Sequence, residues 1–346
     1  MSVTRRDLLK MAGAAGVMGM APAIVRAQKL EKTKVQIAVG GKPLIYYLPL
    51  SIAEARGYFK DEGLDVSIAD FAGGSKALQA VVGGSADIVS GAFEHTLSMQ
   101  SKGQAYRAFV QQGRAPMIGV GVSKKNLPNY KGAADLKGKK IGVTAPGSST
   151  NMVVSFFLAK HGLKASDVSI IGVGAGAGAV TALRSGQIDA ISNTDPVVSM
   201  LEMPGDIQII VDTRTLKDTR DIFGGNMPAG CLYAPQAFLD ANPNTAQALA
   251  NALVRADKWI QKAGPDEIAK AVPETYLLGD PAVYKAAIGK SLEGLSPDGM
   301  IPEDGAATAL KALAAYQADF DGSKIDPSKV WTNDFARRAN EKYPNG

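Results

Sequence analysis

Two fourteen-residue stretches, 102 positions apart, read as copies of one another, and this duplication constrains the fold more than any other feature. Ala77–Ser90 and Ala179–Ser192 align without a gap at Ala77/Ala179, Ala80/Ala182, Gly84/Gly186, Asp87/Asp189 and Ser90/Ser192. Each copy predicts a short helix, a glycine at its C′ end, an aspartate in the turn, then a buried strand. A glycine-rich run precedes each copy (Gly73-Gly74-Ser75; Gly174–Gly178), and polar or aromatic residues follow (Phe93-Glu94-His95; Asn193-Thr194-Asp195). Two related α/β units imply two lobes with function in the crevice between them. The borders of each copy face that crevice. Asp87 and Asp189 fall at the far end of the strands and read as turn-formers.

The N-terminus sets the compartment. Thr4-Arg5-Arg6-Asp7-Leu8-Leu9-Lys10 is a twin-arginine pattern, followed by a small-residue apolar run from Met11 to about Ile24. Val25-Arg26-Ala27 places small residues for cleavage after Ala27, so residues 1–27 are expected to be a signal read by the twin-arginine export machinery. That segment carries four basic side chains and one acidic one, so +3 of the formal +5 leaves with it and about +2 remains. The charge argument for a nucleic-acid partner goes with the leader. Cys231 is the only cysteine, which excludes an intramolecular disulfide. The expected mature protein is a monomeric periplasmic protein, or one tethered outside a single membrane, held together by packing.

Along the chain, strands are expected at Lys34–Val39, Val66–Phe71, Ile88–Gly91, Tyr106–Gln112, Met117–Val122, Ile141–Val143, Val168–Val173 and Gln208–Val211. Helices are expected at Ser51–Arg56, Leu97–Lys102 and Val153–His161, and then in a helix-rich C-terminal part: Pro243–Ala263, Asp266–Ala271, Pro281–Leu292, 303–318 and Trp331–Asn340. The chain is expected to leave the first lobe near Val120 and to return over Asn226–Tyr233.

Four motifs in this order carry a family resemblance: Gly57-Tyr58-Phe59-x-x-Glu62-Gly63-Leu64-Asp65-Val66, the Gly84-x-x-Asp87 turn, Leu136-x-Gly138-Lys139-x-Ile141-Gly142-Val143, and Ser185-Gly186-x-x-Asp189-Ala190. This set resembles the solute-binding proteins of nitrate/sulfonate/taurine-type ABC importers, a grouping that also contains thiamine-pyrimidine-precursor binders. The resemblance covers nearly all of residues 34–320. It implies a type II periplasmic binding protein: two α/β lobes joined by a two-segment hinge, a small-molecule ligand between them, and an ABC importer permease as partner. Lobe one is then 34–120 plus 229–330, lobe two 121–228, and 331–346 a C-terminal helical tail.

Ligands of open α/β sheets sit beyond the C-terminal strand ends, beside helix N-termini. Ser148-Ser149-Thr150 opens a helix and offers hydroxyls and free N–H groups to an anion, or serves as an ordinary N-cap. Gly74 and Ser75 occupy the equivalent position in lobe one, with the same two readings. Tyr46 and Tyr47 offer stacking or a hydroxyl, one of them belonging to the core. Phe93, Glu94 and His95 are expected to line the pocket, although Glu94 and His95 also suit a solvated helix start. Asn193 and Asp195 face from lobe two, unless Asp195 caps the helix begun by Pro196. Arg114 pairs with an anion or sits on the surface.

The expected ligand is a small organic anion, sulfonate- or carboxylate-like, with a pyrimidine-like heterocycle as the alternative. A non-transport sensor or scaffold of the same fold is a further reading. An enzyme is not expected: the grouping also resembles yeast-type pyrimidine synthases, which need an iron-binding Cys-rich stretch. No cofactor is expected, and Gly172-x-Gly174-x-Gly176 is too weak a fingerprint for a nucleotide.

Overall fold

The computed structural model describes residues 29–317 and 320–346. The expected signal at 1–27 and the expected helix end at Ala318 lie outside these residues. The chain forms two five-stranded mixed sheets, in the orders β2-β1-β3-β10-β4 and β7-β6-β8-β5-β9. The first holds β1 (Lys34–Val39), β2 (Asp65–Asp70), β3 (Ile88–Ala92), β4 (Tyr106–Gln111) and β10 (Gly230–Pro235). The second holds β5 (Ile118–Ser123), β6 (Lys140–Val143), β7 (Ser169–Gly172), β8 (Ala190–Thr194) and β9 (Ile207–Asp212).

The duplication extends to whole sheets. Each has three parallel strands, then an antiparallel one supplied by the chain arriving from the other lobe, then an edge strand. Both arriving strands carry a bulge against their edge partner, at Leu232/Tyr233 and at Val120/Gly121. The alternating Val35, Ile37 and Val39 of β1 are all essentially inaccessible. Each such buried side chain contributes about 1.5–3 kcal/mol. Ala38 between them is equally buried, as helices on both faces require.

Helices α1 (Leu48–Ala55), α2 (Tyr58–Asp61), α3 (Gly74–Val82) and α4 (Glu94–Ser101) cover the first sheet, and α5 (Ser149–Lys160), α6 (Ala177–Arg184), α7 (Val197–Glu202) and α8 (Leu216–Phe223) the second. A C-terminal set follows: α9 (Gln236–Ala241), α10 (Pro243–Lys262), α11 (Pro265–Ala271), α12 (Pro281–Ser291), α13 (Gly305–Tyr316) and α14 (Asp334–Lys342). α14 lies along α10 and β4, and α13 packs against both α5 and α4 and so straddles the lobes.

The duplicated stretch holds each sheet in the same way. Gly84 and Gly186 take φ of +77° and +79°, a conformation that costs glycine nothing, and the following N–H reaches back to Ala80 O or Ala182 O at 2.9 Å. Those alanines are among the matched pairs. Asp87 then accepts the Gln36 N–H of β1 at 2.9 Å, and Asp189 accepts the Lys140 N–H of β6 at 2.9 Å. The turn-former reading of both aspartates stands.

Four expectations shift. β5 lies wholly in the second sheet, so the first crossing occupies 112–117 rather than the neighbourhood of Val120. Gly230–Pro235, read as part of the return crossing, is a central strand between β3 and β4, and the return takes place upstream, between β9 and β10. Cys231 accordingly sits buried in a sheet. A third segment joins the hinge: Leu295 bridges Gly113, and Ser296 N donates to Gln112 O at 2.9 Å. Finally, α4 begins at Glu94, three residues before the expected Leu97, because Phe93 already has helical backbone angles.

Candidate functional site

A cavity lies between the sheets at their facing C-terminal edges, lined by Gly40, Leu44, Tyr46, Tyr47, Gly74, Ala92, Ile118, Thr144, Ser148, Ser149, Thr150 and Thr194. Its wall follows the duplication. Ala92 and Thr194 end the equivalent strands β3 and β8, while Gly40 and Thr144 follow the equivalent strands β1 and β6. At each pair lobe one supplies a small side chain or none, and lobe two supplies a hydroxyl. At the starts of the equivalent helices α1 and α5, lobe one brings Tyr46 and Tyr47 and lobe two brings Ser148, Ser149 and Thr150. One wall is aromatic and the other hydroxylic.

On the aromatic wall, Ile45–Tyr47 form a single turn of 3₁₀ helix that runs into α1, whose first turn holds Pro49. Tyr46 and Tyr47 meet edge to face, with ring centroids 4.8 Å apart. Burial, then the charge of Glu94, pushes both phenols well up, so they remain neutral and able to donate. The Tyr46 hydroxyl is buried and without a hydrogen-bond partner among the described residues, and Ser149 approaches it without reaching hydrogen-bond geometry.

On the hydroxylic wall, β6 delivers the chain to α5 through Thr144–Ser148. Thr150 Oγ1 is tied to Thr144, accepting its N–H at 3.1 Å and meeting its hydroxyl at 2.9 Å. Ser148 N, Asn151 N and Met152 N are spoken for within the turn. The N–H groups of Ser149 and Thr150 open the helix and have no partner one turn back, so they point positive charge at the cavity. Thr194 Oγ1, like the Tyr46 hydroxyl, is buried and unpartnered among the described residues. The lining contains no Lys or Arg.

The two lobes touch around the cavity. Ser75 N donates to Ser148 Oγ at 3.0 Å, Ser148 Oγ donates to Ser75 Oγ at 3.1 Å, and Ser75 Oγ donates to Pro146 O at 2.8 Å. Ile45 N donates to Asp195 O at 2.9 Å. About 20 Å³ of the cavity is open to the centre of a water molecule, room for about one water. Any larger solute enters only when these contacts part.

Six of the twelve residues expected at the site therefore line the cavity: Tyr46, Tyr47, Gly74, Ser148, Ser149 and Thr150. The other six are placed elsewhere. Ser75 serves the seam between the lobes. Phe93 is fully buried in the core behind Ala92. His95 lies behind Gly74, its Nδ1 2.9 Å from Tyr233 Oη and its Nε2 3.3 Å from Gly147 O across the seam. Burial lowers its pKa against the opposing charge of Glu94, so the ring is neutral, and since a carbonyl only accepts, Nε2 carries the proton.

Asn193 is consumed locally, accepting Thr194 N–H at 2.9 Å and donating to Gly174 O at 3.1 Å. Asp195 caps α7 through Ser199 N at 2.9 Å and takes Ser291 Oγ at 3.1 Å, with Arg214 Nη1 3.7 Å away. This is the capping role left open for it. Burial raises the Asp195 pKa against the pull of Arg214. Glu94 is buried, and neither of its oxygens has a partner among the described residues. Arg114 Nε donates to Glu293 O at 2.9 Å in the hinge.

Sequence reasoning missed Gly40, Leu44, Ala92, Ile118, Thr144 and Thr194. Thr194 was within reach: successive strand residues face opposite sides, so Asn193 and Asp195 could not share its wall.

Residues 28–273 match the NMT1-like family. A solved structure from Bordetella bronchiseptica RB50 is 88% identical, with a TM-score of 0.91, and the alignment covers 92% of this chain and 100% of that one. The alkanesulfonate-binding protein SsuA from Xanthomonas axonopodis pv. citri, solved bound to MOPS, is 22% identical with a TM-score of 0.67, over 88% of this chain and 99% of that one. That likeness carries the fold, a periplasmic binding protein fold of two α/β lobes. The 4-amino-5-hydroxymethyl-2-methylpyrimidine phosphate synthase of Aspergillus parasiticus is 26% identical over 305 residues, 84% of this chain and 85% of its own length. The family match spans well over half of the sequence, and this chain belongs to the NMT1-like family.

Proposed function

We propose that the protein is the solute-binding component of an ABC-type importer, working outside the inner membrane after removal of residues 1–27. It captures one small organic anion between its lobes and hands it to a permease as a single-chain carrier. The observation that carries this reading is the first turn of α5. The free N–H groups of Ser149 and Thr150 and the hydroxyl of Ser149 converge at a helix N-terminus inside a cavity that both lobes line. A sulfonate or carboxylate headgroup matches those donors and needs no cation. Closing the lobes over it is a hinge motion driven by the ligand's preference for the closed state.

A second reading, a pyrimidine-like heterocycle, is favoured by the Tyr46–Tyr47 pair, which offers a flat ring an aromatic face. In either case the protein binds and releases and catalyses nothing. Thermal-shift screening of protein lacking residues 1–27 against alkanesulfonates, short carboxylates, nitrate and aminopyrimidines tests this. A ligand bound at one hundred times its Kd adds about 2.7 kcal/mol to stability, a shift of several degrees. If no compound raises the melting temperature, and one is instead converted to product, solute capture is the wrong function.

A further inference from the structure

We propose that the end of lobe two remote from the cleft docks on an anionic lipid bilayer through the lysines of Lys124–Lys140. The contact leaves the cleft free, so it goes beyond the solute-binding reading and does not rest on it.

Lys124–Lys140 holds six lysines and one aspartate, a net +5 in a chain that is about +2 without its leader. The sheet brings both ends of this segment to one place. β5 runs antiparallel to β8, with Ile118 opposite Thr194 at the cavity and Val122 opposite Ala190 at the far end, so Lys124 leaves the sheet at that end. Lys140 starts β6 there too, opposite Ser169, the first residue of β7. Asp189 ties the two together, accepting the Lys140 N–H at 2.9 Å and the Asn126 Nδ2–H at 3.1 Å. Lys164 joins them: Asp167 accepts its N–H at 2.8 Å, and Gly138 N donates to Asp167 O at 2.7 Å.

This charge is left open to solvent. Lys124, Lys125, Lys131, Lys137 and Lys140 are exposed and Lys139 is half-buried. Of these six, only Lys137 has an ion pair among the described residues, 4.0 Å from Asp167. Asp135 turns its carboxylate to the Lys131 and Gly132 N–H groups at 2.7 and 3.3 Å. Helix C-termini attract cations, which accounts for Lys160 on α5 and Arg184 on α6, but Lys124–Lys140 contains only the single 3₁₀ turn Ala133–Leu136. The fold does not need the excess either. At the equivalent end of lobe one, Lys29, Lys32, Lys34 and Lys60 stand among Glu31, Asp61, Glu62 and Asp65, and Lys32 is paired with Asp87 at 2.5 Å. Equivalent turns therefore close with balanced charge, whereas crowded like charges repel and destabilise a compact state.

The residue type selects the partner. Protein interfaces are depleted in Lys and enriched in Arg and aromatic residues. Lys124–Lys140 has no arginine, and its one aromatic residue, Tyr130, is half-buried. Flexible point charges without a shaped pocket suit a fluid sheet of phosphate headgroups. Each lysine near such a surface strengthens association about fivefold. A polybasic patch with no lipid chain attaches reversibly, and it would hold the carrier at a membrane with its cleft directed away from the surface.

Sedimentation of protein lacking residues 1–27 with phosphatidylglycerol–phosphatidylcholine vesicles, and with phosphatidylcholine vesicles alone, tests this. The wild type is expected to bind the anionic vesicles at about 20 mM salt, to leave them at about 300 mM, where charges are screened within a few ångströms, and to ignore the neutral ones. Lys124→Gln/Lys131→Gln/Lys139→Gln weakens the binding by at least about 30-fold while the melting temperature holds. Lys29→Gln/Lys34→Gln/Lys60→Gln removes the same charge from lobe one and changes binding by about threefold or less. Absence of binding to anionic vesicles, or equal binding to both kinds, overturns the proposal. Equal losses in the two triple variants also overturn it, since the attraction then follows net charge and not this end. Binding to polyglutamate with none to vesicles makes the partner an acidic chain and overturns the bilayer.

Discussion

Gly73 offers a direct way to separate closure of the lobes from stability of the fold. Its backbone is extended (φ −173°), so alanine is accepted there without strain. A Cβ at this position stands 2.9 Å from Ala145 Cβ, 2.9 Å from Ser148 Oγ and 3.0 Å from Ala145 N, all on the opposite lobe. Carbon atoms prefer about 3.5–4.0 Å, so the lobes must part by roughly 0.6–1 Å to admit the methyl group. That displacement stretches the 3.0 Å Ser75 N–Ser148 Oγ bond out of hydrogen-bond range. Overpacking of this kind costs about 1–3 kcal/mol and the lost hydrogen bond about 1 more, so Gly73→Ala disfavours closure by about 2–4 kcal/mol. Solute affinity then falls about 30- to 1000-fold. The open state never makes the contact, so the ligand-free melting temperature is unchanged or slightly higher, since alanine also restricts the unfolded chain. Calorimetric titration with whichever solute shifts the wild type, paired with ligand-free melting, reads both quantities. A Kd within threefold of wild type refutes the wedge, and a ligand-free destabilisation of several degrees shows that Gly73 packs within its own lobe.

Three further perturbations follow from buried charge. Asp257 on α10 is inaccessible with both oxygens unpartnered among the described residues, and burial, then the nearby Asp298, pushes its pKa well up. The folded state therefore keeps a proton that the unfolded chain releases above the ordinary aspartate value, and stability falls by up to about 1.4 kcal/mol per pH unit as pH rises. Asp257→Asn lacks that slope, so its melting-temperature advantage should widen by about 5 °C between pH 5 and pH 7, and a constant difference refutes the account. Arg214 is buried and holds Asp212 at 2.9 and 2.5 Å, Glu202 at 2.8 Å and Asp195 at 3.7 Å. Arg214→Met leaves Asp195 and Asp212 without a cation, Glu202 keeping Lys290 at 2.9 Å, and should cost about 3–5 kcal/mol in chemical denaturation, with little rescue from Lys, which cannot reproduce the paired contact. His95 has a pKa lowered by burial and by Lys102, with Glu94 opposing and Tyr233 and Gly147 hydrogen-bonded to the ring. The Gly147 contact opposes that lowering, so the depression belongs to burial within the fold: stability should hold above about pH 6.5 and decline by up to about 1.4 kcal/mol per unit below it, a decline absent in His95→Gln.

The lobes were legible in the sequence because their signal is covalent and local. A helix, a C′ glycine and an aspartate three residues later fix a turn without outside help, and Gly84-x-x-Asp87 and Gly186-x-x-Asp189 form that turn in the same way. β10 was not legible: Gly230–Pro235 carries no alternation, since a central strand is buried on both faces and its pairing with β3 and β4 is set by residues more than a hundred positions away. The site was half legible for a related reason. Helix starts announce themselves through Ser148–Thr150, and strand ends announce themselves only to within one residue. One residue is the difference between Ala92 on the wall and Phe93 in the core, and between Thr194 on the wall and Asn193 bonded to Gly174. Polar character did not discriminate: Asn193 and Asp195 are both polar, the first spent on Gly174 and Thr194 and the second on capping α7 and holding Ser291.

The duplication also explains why the cavity is chemically lopsided. A strand, a turn and a helix start occur twice and bring equivalent positions face to face, which guarantees a crevice and says nothing of what fills it. Divergence at those positions supplies the content: Gly40 is matched by Thr144, Ala92 by Thr194, and a tyrosine pair by a serine pair. The hydrogen-bonding groups then fall mostly on one lobe and the apolar area on the other. A solute held on the hydroxylic lobe alone keeps its far side in water. Only when the aromatic lobe arrives are the Tyr46 hydroxyl, the Thr194 hydroxyl and the solute all removed from solvent together, so their hydrogen bonds strengthen at the moment of closing. A symmetric pair of walls would bind nearly as well to either lobe in the open state and would gain less from closure. In this arrangement the free energy of recognition is tied to the hinge.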